Sequence, residues 1–122
     1  MILVDTSVWI DHFRRGNAIL RRLLEAREVL SHPFVIGELA MGNLNQRAVV
    51  LEALGDLPKA TVAHDDEVLR YVSAAALFWR GIGYVDAHLL AAVQMTPGAL
   101  LWTRDHRLAA VAGRLSLAFQ AA

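Results

Sequence analysis

Ile2-Leu3-Val4-Asp5-Thr6-Ser7-Val8-Trp9-Ile10 is the stretch whose reading decides the fold. Its first three residues are apolar and two are β-branched. The run ends on Asp, Thr and Ser, the side chains that cap helix N-termini. A buried strand feeding directly into a helix through Val8, Trp9 and Ile10 is the expectation. The same rhythm returns along the chain. Val29-Leu30-Ser31 predicts a second strand and Leu100-Leu101-Trp102 the clearest later one, with further short strands at residues 60–63 and 115–119. Helix signals lie between them. Asn17 can cap a helix whose apolar residues Ile19, Leu20, Leu23 and Leu24 recur at spacings of three and four. Pro33 suits the first turn of a helix over residues 33–42, and Gly55 closes another over 46–54. His64-Asp65-Asp66-Glu67 opens a long helix expected to run through Leu77 and Trp79 until Gly81-Ile82-Gly83 breaks it. Two more helices follow, over residues 85–93 and 108–111. Short apolar strands alternating with helices argue for an α/β sandwich around a mainly parallel central sheet flanked by helices. In such folds ligands bind beyond the carboxyl ends of the strands.

Composition narrows the function classes. The 122 residues read as one domain, 1–122, long enough to bury a core without staples. A hydrophobic fraction of 56% excludes a disordered chain, and a mean hydropathy of +0.38 points to apolar surface covered by a partner. The absence of cysteine rules out disulfides and thiolate metal sites, so any metal must be held by oxygen or imidazole. Met1 leads straight into Ile-Leu-Val-Asp without a basic leader, and no apolar run approaches the roughly 18–20 residues of a membrane span, so a cytoplasmic protein with no membrane partner is expected. Twelve basic residues balance twelve acidic ones, which leaves no net field to attract nucleic acid. Eleven of the twelve are arginine, a bias that a GC-rich genome explains more simply than phosphate binding.

Chemistry concentrates in four carboxylates, Asp5, Glu38, Asp86 and Asp105, each in or beside an apolar stretch. Asp5 and Asp105 fall just after strands, Asp86 in the first turn of a helix and Glu38 within one, so one cleft could collect all four. Taken singly, Asp5, Asp86 and Asp105 are explained as well by helix capping and the helix dipole. Glu38 escapes that explanation. Its neighbours one turn away are Phe34, Val35, Met41 and Gly42, which predicts a buried carboxylate facing either a cation or one of the arginines. An all-oxygen set points to Mg²⁺ or Mn²⁺.

Four segments together resemble a known family: the opening stretch, Ile36-Gly37-Glu38-Leu39, Gly83-Tyr84-Val85-Asp86-Ala87-His88-Leu89-Leu90-Ala91-Ala92, and Leu101-Trp102-Thr103-Arg104-Asp105. The chain is similar to the PIN domains, and among them to the VapC-type toxins of bacterial toxin–antitoxin pairs. That resemblance implies a PIN-like three-layer sandwich. It further implies a Mg²⁺- or Mn²⁺-dependent endoribonuclease, an RNA substrate, a cognate antitoxin that blocks the acidic cleft, and a toxin homodimer. Carried over, Asp5 and Asp86 are metal ligands, and Glu38 and Asp105 complete the catalytic set. Thr6 or Ser7 would add a hydroxyl, and Thr103 would orient Asp105.

Other signals are weaker. His12, His32, His64, His88 and His106 include no i, i+4 pair, which argues against zinc. His88 and His106 lie close to acidic positions, where a surface or hydrogen-bonded structural role is expected. Trp9, Trp79 and Trp102 sit in apolar runs and read as core rather than as base-stacking residues. Arg14, Arg15, Arg104 and Arg107 are placed to meet RNA phosphates, although solvated faces explain them too. Two rival readings keep the sequence features: a phosphodiesterase acting on other nucleic acids, and a non-enzymatic interaction subunit. A phosphorelay receiver lacks its lysine, since Lys59 is the only one.

Overall fold

The computed structural model describes residues 1–121. Strand β1 (Ile2–Val4) runs into helix α1 (Thr6–Arg15), followed by α2 (Ala18–Glu25), β2 (Val29–Leu30), α3 (Pro33–Ala40) and α4 (Arg47–Gly55). Then come α5 (Asp65–Ala74), α6 (Tyr84–Met95), β3 (Leu100–Trp102) and α7 (His106–Arg114). The strands form one parallel sheet in the order β2-β1-β3. Ile2 pairs with Val29 and Leu100, and Val4 with Trp102. Successive strand residues face opposite sides, yet Leu3 and Val4 are both fully buried. Both faces of the central strand are therefore covered, as a parallel sheet requires. Helix α6 supplies much of that cover through an unbroken buried run from Ala87 to Val93.

Local chemistry accounts for the helix starts. Asn17 Oδ1 accepts from the Leu20 N–H at 3.0 Å, and Pro33 occupies the first turn of α3, where a missing N–H costs nothing. His32 rather than a conventional cap begins α3, its Nδ1 accepting from the Phe34 N–H at 3.0 Å.

Three expectations fail on identifiable grounds. Residues 60–63 form no strand: Ser31 bridges Lys59, and the ladder stops because the Thr61 N–H is taken by Thr96 Oγ1. Residues 115–119 likewise add a single bridge, Leu101 to Ala118, because β3 itself ends at Trp102. The long helix stops at Ala74 instead of reaching Trp79. Ala76 turns left-handed at φ 51°, the Leu77 N–H reaches back to Val72 O at 2.9 Å, and Arg114 reaches the carbonyl oxygens of Ala75 and Ala76. This is a Schellman-type end whose last carbonyls an arginine satisfies. Leu77 then enters the core, and Trp79, expected there, is 99% exposed.

Candidate active site

Asp5 holds the N-cap position of α1, but its side chain makes no cap hydrogen bond. The backbone alone does the capping, since Asp5 O accepts from the N–H groups of Val8 and Trp9. The carboxylate is committed elsewhere. Its Oδ2 accepts from Ser7 Oγ at 2.8 Å and from Thr103 Oγ1 at 2.7 Å, while the residue is only 8% exposed. Each hydroxyl that donates to Asp5 also accepts: Thr103 Oγ1 from the Asp105 N–H and Ser7 Oγ from the Arg104 N–H, both at 3.0 Å. Two hydroxyls thus fix Asp5 to the loop after β3. The Thr103 hydroxyl orients the Asp5 carboxylate, and meets Asp105 only at its backbone N–H, not at its carboxylate.

The other three carboxylates have separate anchors. Asp105 does cap its helix, with Oδ1 accepting from the Arg107 and Leu108 N–H groups at 2.9 and 3.1 Å. Asp86 Oδ2 accepts from the Gly83 N–H at 3.0 Å in the first turn of α6. Glu38 departs from expectation: it is exposed, because Val35 and Leu39 form the buried stripe of α3 and Glu38 projects off it. Its partner is Thr6 Oγ1, which donates to Oε1 at 2.7 Å. No arginine pairs with it among the described residues.

A common pattern joins the four. Each uses one oxygen in the hydrogen bonds above and, among the described residues, leaves the other without a protein donor. Their fields overlap at Asp86. Burial pushes its carboxyl above the usual carboxylate range, the Gly83 N–H works against that, and the charges of Asp5, Asp105 and Glu38 push it further up. Among the described residues, no three His, Asp or Glu side chains already close on a common point as a metal cage would. Like charges tethered separately are expected to stand apart, and four available carboxylate oxygens are the donor set that hard divalent cations take. The residues fit such a cation in chemistry.

The surroundings add a residue that the sequence did not single out. Asp11 pairs with both Arg15 and Arg104, and the hydrogen bond from Arg15 holds its carboxyl below the usual range. These groups line a groove of about 520 Å³ that includes Ser7 and Arg14. A second groove, of about 670 Å³, lies beside Glu38 and is walled by Ile10, Phe13, Arg14, Leu39 and Val50. Arg14 borders both, so the α1 arginines expected at phosphates do face open channels next to acidic residues.

His88 is neither at the surface nor hydrogen-bonded. It is 2% exposed between Phe34 and Tyr84, with ring centroids 4.6 Å away on each side, and its Nε2 lies 3.2 Å from Asp65 Oδ1 without hydrogen-bond alignment. His32 is buried nearby at 0% exposure. Desolvation first, and the neighbouring His88 second, lower its pKa from 6.5 to about 4. The unfolded chain therefore binds more protons than the native one between those values. Stability from this group is complete above pH 6.5 and is lost as pH falls towards 4, by about 3 kcal/mol in all. Denaturant melts across that range should show the loss. His32→Asn, which keeps a competent cap, should flatten it; an unchanged slope would remove His32 as the cause.

The PIN domain family matches residues 2–114. Ribonuclease VapC32 of Mycobacterium tuberculosis, in strain CDC 1551 / Oshkosh and in strain H37Rv, is 51% identical over 118 residues. The alignment covers 97% of this chain and 95% of that protein.

Proposed function

Because this chain belongs to the PIN domain family, we propose that it is an endoribonuclease of the VapC toxin type, hydrolysing RNA phosphodiester bonds at the acidic cleft with a divalent cation. One observation carries the reading: four carboxylates brought from the end of β1, from α3, from the first turn of α6 and from the cap of α7 each keep one oxygen available. The substrate class comes with the ribonuclease relative. Asp5 and Asp86 are the proposed ligands, with Glu38 and Asp105 completing the site. Mg²⁺ and Mn²⁺ suit an all-oxygen set equally well. When bound, such an ion supplies a Lewis acid beside the phosphoryl oxygens and makes water nucleophilic near neutral pH.

The chain's own residues do the rest. Ser7 and Thr103 hold Asp5 in one orientation, so that it is preorganised before any ligand arrives. Thr6 does the same for Glu38. A proton and a cation compete for the Asp86 carboxyl, whose pKa burial and the neighbouring carboxylates raise, so cation binding weakens as pH falls. Arg14 and Arg104, bordering the two grooves, meet the phosphates on either side of the scissile bond. The toxin role brings a cognate antitoxin and a homodimer into the proposal. The exposed apolar side chains Ile10 and Phe13 beside the Glu38 groove support a partner that would shut the cleft. Among the described residues no helix is long and apolar enough to cross a membrane. A toxin that cuts cellular RNA acts where that RNA is, so the proposal places the protein in the cytoplasm.

A thermal-shift titration tests the metal directly. At a hundredfold excess over its dissociation constant, Mn²⁺ should stabilise the native state by about 2.7 kcal/mol, and EDTA should reverse the shift. A melting temperature indifferent to millimolar Mn²⁺ and to EDTA, with no heat of binding, would remove the cation from the site.

A further inference from the structure

Trp79 is the most exposed large apolar side chain of the protein, at 99%, while Trp9 and Trp102 are buried at 4% and 6%. Its backbone is left-handed, φ 61°, a conformation that a bulky residue rarely adopts and that only surrounding structure can hold in place. That structure is visible. Arg114 donates to Ala75 O and Ala76 O, and Arg80 Nε donates to Ala76 O at 3.0 Å. On the other side of Trp79, Gly81 turns with φ 77°, and the Arg107 side chain lies across it so closely that a Cβ there would meet Arg107 Cδ at 2.7 Å. The tryptophan is thus presented on a braced loop.

The loop also adjoins the acidic cleft. Arg107 follows Asp105 by two residues, and the Gly83 N–H is the donor to Asp86. Gly83 lies four positions after Trp79, so their Cα atoms are at most about 14 Å apart. Arg80 and Arg107 make no ion pair with an acidic side chain among the described residues. An exposed indole on a braced backbone, beside two uncompensated guanidinium groups at the edge of the proposed phosphodiesterase site, has the chemistry of a single-strand binding surface. Aromatic faces stack bases, and arginines meet the phosphates between them.

We infer that Trp79 is a platform on which an unpaired base of the RNA substrate stacks, with Arg80 and Arg107 holding adjoining phosphates. The inference rests on the ribonuclease reading and adds to it a substrate-binding residue outside the acidic set. It also requires that the RNA be single-stranded where it crosses the loop, because a paired base has no free face to offer.

The test uses the full-length protein and an oligoribonucleotide of about a dozen nucleotides. In EDTA, titration of the RNA should quench the long-wavelength tryptophan emission, which comes from Trp79 because the other two are buried. The quench should track binding measured independently by anisotropy of labelled RNA. Trp79→Ala should weaken binding and raise KM about tenfold, with kcat little changed, and Trp79→Phe should restore most of the loss. The Mn²⁺-induced thermal shift should be the same in all three proteins. RNA that binds without quenching, or binds Trp79→Ala as well as wild type, overturns the inference while leaving the ribonuclease reading intact. So does a Trp79→Ala protein that keeps RNA affinity but loses self-association in sedimentation, since the indole is then a protein contact. Wild-type protein that neither binds nor cuts the RNA with metal present overturns both.

Discussion

Asp5→Asn should remove metal-dependent RNA cleavage, by at least about a hundredfold, while leaving the protein folded. Residues that merely orient a metal ligand typically contribute 10- to 100-fold, so loss of a ligand's charge is expected at or beyond the upper end of that range. The fold is insulated from the change. Asp5 caps α1 through its backbone carbonyl, and the side-chain oxygen that receives Ser7 and Thr103 has a counterpart in the asparagine amide. Removing one of four mutually repelling charges should leave thermal stability unchanged or slightly raised without metal. Melting temperature in EDTA and turnover with Mn²⁺, measured on one preparation, separate the two effects. Wild-type turnover by purified Asp5→Asn would end the assignment of this residue.

The products of cleavage should carry a 5′-phosphate and a 3′-hydroxyl, and an RNA bearing one 2′-deoxy nucleotide at the scissile position should still be cut. Water attacking in line with the leaving oxygen makes no use of the 2′-hydroxyl. EDTA should reduce turnover on both substrates to background. Histidine acid–base catalysis predicts the reverse: a 2′,3′-cyclic phosphate, tolerance of EDTA and no cleavage of the deoxy substrate. The structure narrows that rival. His88 is closed in between Phe34 and Tyr84, and of the two histidines near the acids only His106, the first residue of α7, is open to solvent. A cyclic phosphate formed in EDTA and lost in His106→Ala would replace the mechanism proposed above.

The parts of this molecule legible in the sequence are those whose causes are local. Ile2-Leu3-Val4 becomes the central strand because an apolar β-branched run next to three capping residues has few other uses, and Asn17 and Pro33 act where their chemistry places them. Asp5 and Asp105 are marked by their position after strands. What the sequence hides is set by distance along the chain. Thr103 is 98 residues from Asp5 and Thr6 is 32 from Glu38, so neither hydrogen bond has a spacing to detect. The burial expected for Glu38 came from reading every neighbour one turn away as core, whereas α3 is short and buries only the Val35–Leu39 stripe. The misplacement of Trp79 has a similar origin: the left-handed turn falls on Ala76, a residue type that gives no warning of it, with the satisfying arginine 38 residues further on.

The tie between Thr103 and Asp5 also orders events in time. β1 leaves the ribosome long before β3, and contacts of such long separation form only after the intervening loop has been closed. A nascent chain that has reached only α6 contains Asp5, Glu38 and Asp86 but has neither Asp105 nor the Thr103 hydroxyl that fixes Asp5. The four carboxylates can therefore be assembled only after β3 and the cap of α7 have been made, so on the proposed function a chain whose synthesis has stopped short of β3 carries no finished blade beside the RNA machine that produces it.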